Sequence, residues 1–159
     1  MDKKLDQLDL KLLACVQADN QLTAEMLAER IGLSPSAVAR RLRQLRSSRT
    51  IVGDVAIVAE QAFGHPLSAI IHIQLERHAL AEVASFKRLL AASENIQFCL
   101  EISGAFDILL LVVVADMEAF NLFADDLLAG QRAVRRYETS FVKRRLKASL
   151  ALPLDELQR

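Results

Sequence analysis

Seven consecutive apolar residues, Ile108 to Val114, constrain this 159-residue chain more than any other stretch. Alternate residues of a strand face opposite ways, so a strand of this composition has no face to offer water. It must be covered on both sides. Residues 68–75 alternate in the manner of a strand, with Ile71, Ile73 and Leu75 on one face and His72 and Gln74 on the other. Residues 80–92 have a helical period with Val83, Phe86 and Leu90 as the stripe, and residues 96–102 read as a second strand. After a turn at Gly104-Ala-Phe-Asp107 comes the apolar strand, then a helix over 117–128 carrying Phe120, Ala124 and Leu127, then a strand over 134–142. The order β-α-β-β-α-β is the ferredoxin-like split unit. Two helices cover only one side of a four-stranded sheet. The other side needs a further layer, and a second copy of the chain is the simplest candidate, which predicts a homodimer.

Before Pro66 the period is that of helices. A first helix is expected from Asp6, a suitable N-cap, to Ala18, with Asp9 in its first turn and Leu8, Leu12, Leu13 and Val16 facing a core. Leu27, Ala28 and Ile31 form the stripe of a second helix, and Gly32 permits the left-handed turn that ends it. Ser34 is placed to cap a third helix and Pro35 fits its first position, where no N–H is needed. In that helix Val38, Leu42 and Leu45 recur at i, i+4, i+7. At ~100° per residue the opposite side presents Ser36, Arg40, Arg43 and Ser47, with Ala39 and Gln44 at its edges. Helix, tight turn and a second helix showing serine, arginine and glutamine is the arrangement that enters a DNA major groove. Arg41 lies nearer the core side, which suits a phosphate contact or an intramolecular ion pair. Arg46 suits a phosphate. Residues 51–58 read as two short strands around Gly53-Asp54, a wing or hinge ribbon. The expected division is therefore a winged helix-turn-helix over 1–50, a strand-bearing linker over 51–66, and a ferredoxin-like domain over 67–159.

Charge supports contact with double-stranded DNA. The formal net charge is zero, but from Arg30 to Gly53 there are six arginines and no acid. Between Arg132 and Lys147 seven basic residues stand against Glu138 alone. A local excess of positive charge is what a phosphate footprint requires. The later block, in which Arg135, Lys143 and Arg145 can cluster on one side of a strand, reads as a solvated edge, a subunit contact or a surface for wrapped DNA. Cys15 and Cys99 are far apart in sequence and are expected to be buried, reduced thiols, which suits a cytoplasmic location. The first residues hold no apolar run like a signal peptide, and the longest apolar run, eight residues, falls short of the ~20 that span a bilayer. No membrane partner is expected. His65, His72 and His78 fit no metal spacing, and no phosphate loop, serine elbow or zinc pattern occurs, so no metal, cofactor or catalytic residue is expected.

Several short motifs resemble, in their order and spacing, those of the Lrp/AsnC (leucine-responsive/asparagine regulator) family. They are Leu5-Asp6-x-x-Asp9, Leu33-Ser-Pro-Ser-Ala-Val-x-x-Arg41-Leu, Ser103-Gly104-x-x-Asp107, Thr139-Ser-Phe-Val142 and Leu152-Pro-Leu154. The resemblance covers nearly the whole chain. It implies an α+β protein, an N-terminal winged helix-turn-helix followed by a ferredoxin-like β-α-β-β-α-β dimerisation and ligand-sensing domain. It also implies a transcriptional regulator assembling as a homodimer or further, commonly as an octamer, with an amino-acid-like effector bound near the glycine–aspartate turn at contacts between dimers. On this chain the DNA-binding positions would be Ser34, Ser36, Ala39, Arg40, Arg41, Arg43, Gln44, Arg46 and Ser47. The effector positions would be Gly104, Ala105, Phe106, Asp107, Thr139 and Ser140. On residues alone, Gly104 to Asp107 also satisfies the needs of a tight hairpin.

Two positions depart from the family pattern. Arg49 stands where relatives have glycine, so either the helix end there needs no left-handed residue or Arg49 adds a phosphate contact. Residues 128–134, Leu-Ala-Gly-Gln-Arg-Ala-Val, replace a proline–glycine–valine approach to the last strand. Two other functions share this architecture in principle, a siroheme-decarboxylase-like enzyme and a ligand-binding module without DNA function. The basic third helix and the lack of a clustered His/Arg pocket motif argue against the first, and a gel shift with a steep salt dependence would exclude the second.

Overall fold

The computed structural model describes residues 5–76 and 80–154. Two compact units emerge, one formed by residues 5–57 with 147–154 and the other by residues 58–146. His78 lies outside the described residues.

The first unit is three helices, α1 (Gln7–Ala18), α2 (Ala24–Ile31) and α3 (Pro35–Ser47). Each start has its own chemical cause. The Asp6 carboxylate accepts from the Asp9 N–H while the Asp9 carboxylate accepts from the Asp6 N–H, a reciprocal cap that satisfies two open donors. Thr23 Oγ1 accepts from Met26 N–H at the start of α2. Gly32, at φ +74°, closes α2 in the left-handed conformation anticipated for it. The stripes meet in a core of Leu12, Leu13, Leu27, Ala28, Ile31, Val38 and Leu45, with Leu42 and Ile51 packed against it. The tail joins the same unit. Gln17 Nε2 donates to the Leu152 carbonyl (3.3 Å) and Gln17 Oε1 accepts from Leu152 N–H (2.8 Å), while Leu154 packs on the core. By contacts, then, residues 147–154 pack with the first unit.

Residues 51–58 form no strand, contrary to expectation. A strand needs a hydrogen-bonded neighbour, and nothing in the described chain lies alongside this segment in register. Val52, Val55 and Ile57 stand at 89%, 76% and 92% exposure, so the apolar pattern has no partner among the described residues.

The second unit opens with a single 3-10 turn, Glu60–Phe63. It continues with β1 (Leu67–Leu75), α4 (Leu80–Ala92), β2 (Ile96–Glu101), β3 (Ile108–Val114), α5 (Met117–Leu127) and β4 (Val134–Phe141). The strands pair antiparallel in the order β2-β3-β1-β4. This is the expected β-α-β-β-α-β unit, with the all-apolar strand in the interior of the sheet. Ala69, Ile71 and Ile73 of β1 and Ile108, Leu110, Val112 and Val114 of β3 pack under Phe86 and Leu90 of α4 and Phe120, Phe123 and Ala124 of α5. The opposite face bears Ile70, Leu109, Leu111 and Val113, all half-buried, and Phe98 and Leu100, both exposed. No described element covers that face. Cys99 lies on edge strand β2 and is exposed, and Cys15 is half-buried, so neither thiol has the full burial expected of it. Among the described residues no helix is long and apolar enough to cross a membrane.

Candidate nucleic-acid interface and effector turn

Helix α3 is held by its cap and its buried stripe, which fixes what it shows to solvent. Ser34 Oγ accepts from Ala37 N–H (3.3 Å) and lies 3.2 Å from Ser36 Oγ, and Pro35 occupies the first turn. Ser34, Ser36, Arg40, Arg43, Gln44, Arg46 and Ser47 are exposed, and Ala39 is half-buried at the margin. Arg43 Nε donates to the Ala39 carbonyl (3.4 Å) and Ser47 Oγ to the Gln44 carbonyl (2.9 Å).

Arg41 is not on that surface. Its Nη1 reaches Asp6 Oδ2 at 2.7 Å and Asp9 Oδ1 at 2.6 Å, so the intramolecular ion pair, and not the phosphate contact, is what the fold makes of it. Asp9 is 4% exposed, and a carboxylate so buried requires a cation. The Asp9 N–H, and after it the Arg41 guanidinium, hold the Asp6 carboxyl below the usual carboxylate range. Arg46 is exposed but also paired, its Nε at 2.9 Å from Asp54 Oδ2. That hydrogen bond holds the Asp54 carboxyl low as well. Sequence reasoning missed Asp54, because no helical or strand period relates it to α3.

Arg49 adopts φ +57°. The helix end does require a left-handed residue, therefore, and an arginine fills it. Its N–H donates to the Arg46 carbonyl (3.1 Å), and the turn it makes lets Ile51 N–H reach the Leu45 carbonyl (3.0 Å) and bring Ile51 back to the core. For a residue with a Cβ this conformation costs on the order of 1–2 kcal/mol.

In the second unit the turn between β2 and β3 is tied to β1 by Asp107. Its carboxylate Oδ2 accepts from Leu75 N–H (2.7 Å) and its own N–H donates to the Ile73 carbonyl (2.9 Å). Gly104 sits at φ +145°, where a side chain would be strained. Phe106 folds back onto the sheet. Its ring lies 5.3 Å from that of His72, and the Arg136 guanidinium stands 5.1 Å over it. Arg136 also donates to Gln74 Oε1 (3.2 Å) and pairs with Glu138 (3.3 Å).

Register separates the last two expected effector residues. Thr139 lies opposite Ile71, on the helix-covered face, and Ser140 opposite Ile70, on the open face. His72, Gln74, Arg136 and Glu138 share Ser140's face, and sequence reasoning did not select them for this site. The alternation that put His72 and Gln74 away from the core was visible. The pairing that sets them beside Phe106 was not. A cleft of about 520 Å³ between α4 and the α5–β4 connection is lined by Phe86, Arg88, Leu89 and Arg132 among others, and by none of the six expected effector residues. Among the described residues no three His, Cys, Asp or Glu side chains gather as a metal site.

The model of the AsnC-type helix-turn-helix domain matches residues 5–46, and that of the Lrp/AsnC ligand binding domain matches residues 68–152. An uncharacterised HTH-type transcriptional regulator of Sinorhizobium fredii is 36% identical over 96% of this chain and 90% of its own length. A Neisseria meningitidis transcriptional regulator solved as a complex with L-methionine superposes with a TM-score of 0.89 at 30% identity, covering 97% of this chain and 99% of that one. An AsnC family regulator from Agrobacterium tumefaciens gives 0.88 at 26% identity, over 96% and 99%. With family models spanning both units and relatives aligned from end to end, the chain belongs to the Lrp/AsnC family of DNA-binding transcriptional regulators.

Proposed function

We propose that the protein regulates genes of amino-acid-related metabolism as a homodimer or larger assembly, with α3 of each protomer entering a major groove of double-stranded DNA. The exposed face of α3 carries this reading. Arg40 and Arg43 reach base edges, where a guanidinium suits guanine, Ser34, Ser36, Ala39 and Gln44 line the groove, and Arg46 and Ser47 meet phosphates. Two such helices on a symmetric dimer read half-sites ~34 Å apart or multiples of that. The uncovered apolar face of the sheet supports pairing, since β3 needs a layer on each side. Octamers and other higher assemblies follow from further contacts between dimers.

An amino-acid-like effector binds beside the 103–107 turn, at a subunit contact. The turn carries backbone donors and Asp107, and beside it lie Arg136 for a carboxylate and Phe106 for an apolar side chain. The L-methionine held by the Neisseria relative supports this class of ligand. Asp107 is already committed to Leu75 N–H, so its pairing with an ammonium group adds to a structural bond and does not replace it. Binding there shifts subunit contacts and so the distance between recognition helices.

Selection of bound genomic fragments, followed by gel shifts, tests the DNA role. Arg43→Ala is expected to relax base preference by about 1–3 kcal/mol at one position, and Arg46→Ala to weaken all sequences evenly. Equal effects of both variants on selected and random DNA would overturn this division of roles. Calorimetric titration against the twenty amino acids tests the effector, and absence of heat from all of them rejects that class.

A further inference from the structure

We propose that Arg49 is an additional DNA-phosphate contact, held beyond the foot of the recognition helix by a backbone conformation that glycine would adopt without strain. Arg49 is the single non-glycine residue at positive φ among the described residues. The turn itself explains why the backbone is left-handed there, since it returns Ile51 to the core. It does not explain the side chain. Glycine makes the same turn unstrained, and asparagine makes it with less strain. Attraction to the helix C-terminus is no sufficient reason either, because a cation one turn earlier gains it without strain, as Arg46 does.

Two arginines of α3 already have carboxylate partners. Arg41 is taken by Asp6 and Asp9, and Arg46 by Asp54. Arg49 is exposed and has no acidic partner among the described residues. In helix-turn-helix complexes the N-terminal part of the recognition helix meets base edges, and its far end lies toward the sugar-phosphate backbone. Arg49 therefore extends the basic face past α3, where the chemistry to be met is phosphate. Strain kept at a surface turn by an exposed charged side chain with no ion pair among the described residues is the pattern expected of a binding residue.

Arg49→Gly, Arg49→Asn and Arg49→Lys in the full chain, bound to a mixed-sequence 40-base-pair duplex across 50–200 mM salt, test this. Wild type and Arg49→Lys should show the same dependence of log affinity on log salt. Arg49→Gly and Arg49→Asn should each lower that slope by about 0.9 per protomer bound. They should then lose about 3.5-fold less affinity per protomer than wild type across the interval. Arg49→Gly should melt at or above the wild-type temperature, so that stability and DNA affinity move in opposite directions. A purely structural role predicts an unchanged slope in all three variants and overturns the proposal. Should Arg49→Gly fold poorly, the comparison of Arg49→Asn with Arg49→Lys decides, since these differ in charge while both retain a side chain. The inference rests on DNA binding by α3. Wild type without any salt-dependent binding would overturn that reading as well, and would be seen before any variant is made.

Discussion

Arg40, Arg41 and Arg43 show how one residue type serves two ends within a few positions of the same helix. Arg40 and Arg43 face outward, while Arg41, turned by ~100° per residue, meets a carboxylate that is 5% exposed and another at the start of α1. Replacing Arg41 with methionine leaves Asp9 buried without its cation, and is expected to destabilise the protein by roughly 2–4 kcal/mol in urea unfolding. The salt dependence of DNA binding should change little. A loss of slope without a loss of stability would return Arg41 to the DNA surface. Asp6 gives the same junction a pH dependence. Its folded pKa is depressed below 3.8 by the Asp9 N–H and Arg41. Its contribution is therefore complete above the unfolded value and is lost as pH falls through the lower folded value. Wild type should exceed Asp6→Asn in denaturation midpoint at about pH 6, with the gap closing in stronger acid. That Arg41 was suited to an ion pair was legible from helical phase. Which acids it meets depends on how α1 and α3 cross, which no local pattern records.

At the scale of elements, segments with their own periodicity were legible almost to the residue. The extents of α4 and β3 match those read from sequence, because Val83, Phe86 and Leu90 repeat at helical spacing and the apolar run of β3 has sharp ends. Residues 51–58 were not legible, since Val52, Val55 and Ile57 carry strand-like composition while strand formation depends on a neighbour that is absent among the described residues. The same segment carries Asp54, whose contact with Arg46 ties it to α3. Phosphate must compete with that carboxylate. Asp54→Asn should therefore tighten binding to mixed-sequence DNA by up to about fivefold, the worth of an exposed ion pair. Anisotropy titration measures this, and an unchanged affinity would mean that Asp54 does not restrain Arg46. The effector turn was half legible. Gly104 and Asp107 signal a turn by residue type, but His72 and Arg136 come beside Phe106 only through the register of β1 with β3 and β4.

For the whole molecule, the proposed pairing of two chains runs through the open face of the sheet. Leu100 stands 47% exposed beside Phe98, Leu109 and Leu111. Leu100→Glu places a charge on a surface that the proposed dimer would dry, and should yield a folded monomer by sedimentation at micromolar concentration. DNA affinity should drop with it, as two linked recognition helices become separate ones. A dimer that survives Leu100→Glu would have to use another surface. The tail returns to the first unit. Gln17 receives Leu152, and Leu154 packs on a core begun at Leu12 and Leu13. The ribosome makes residues 58–146 between these two pieces, so the second unit is synthesised in full before the last part of the first exists. The half that reads DNA is begun earliest and finished last. A chain released before Leu152 carries a complete sheet domain joined to a helical domain that still lacks its final contacts.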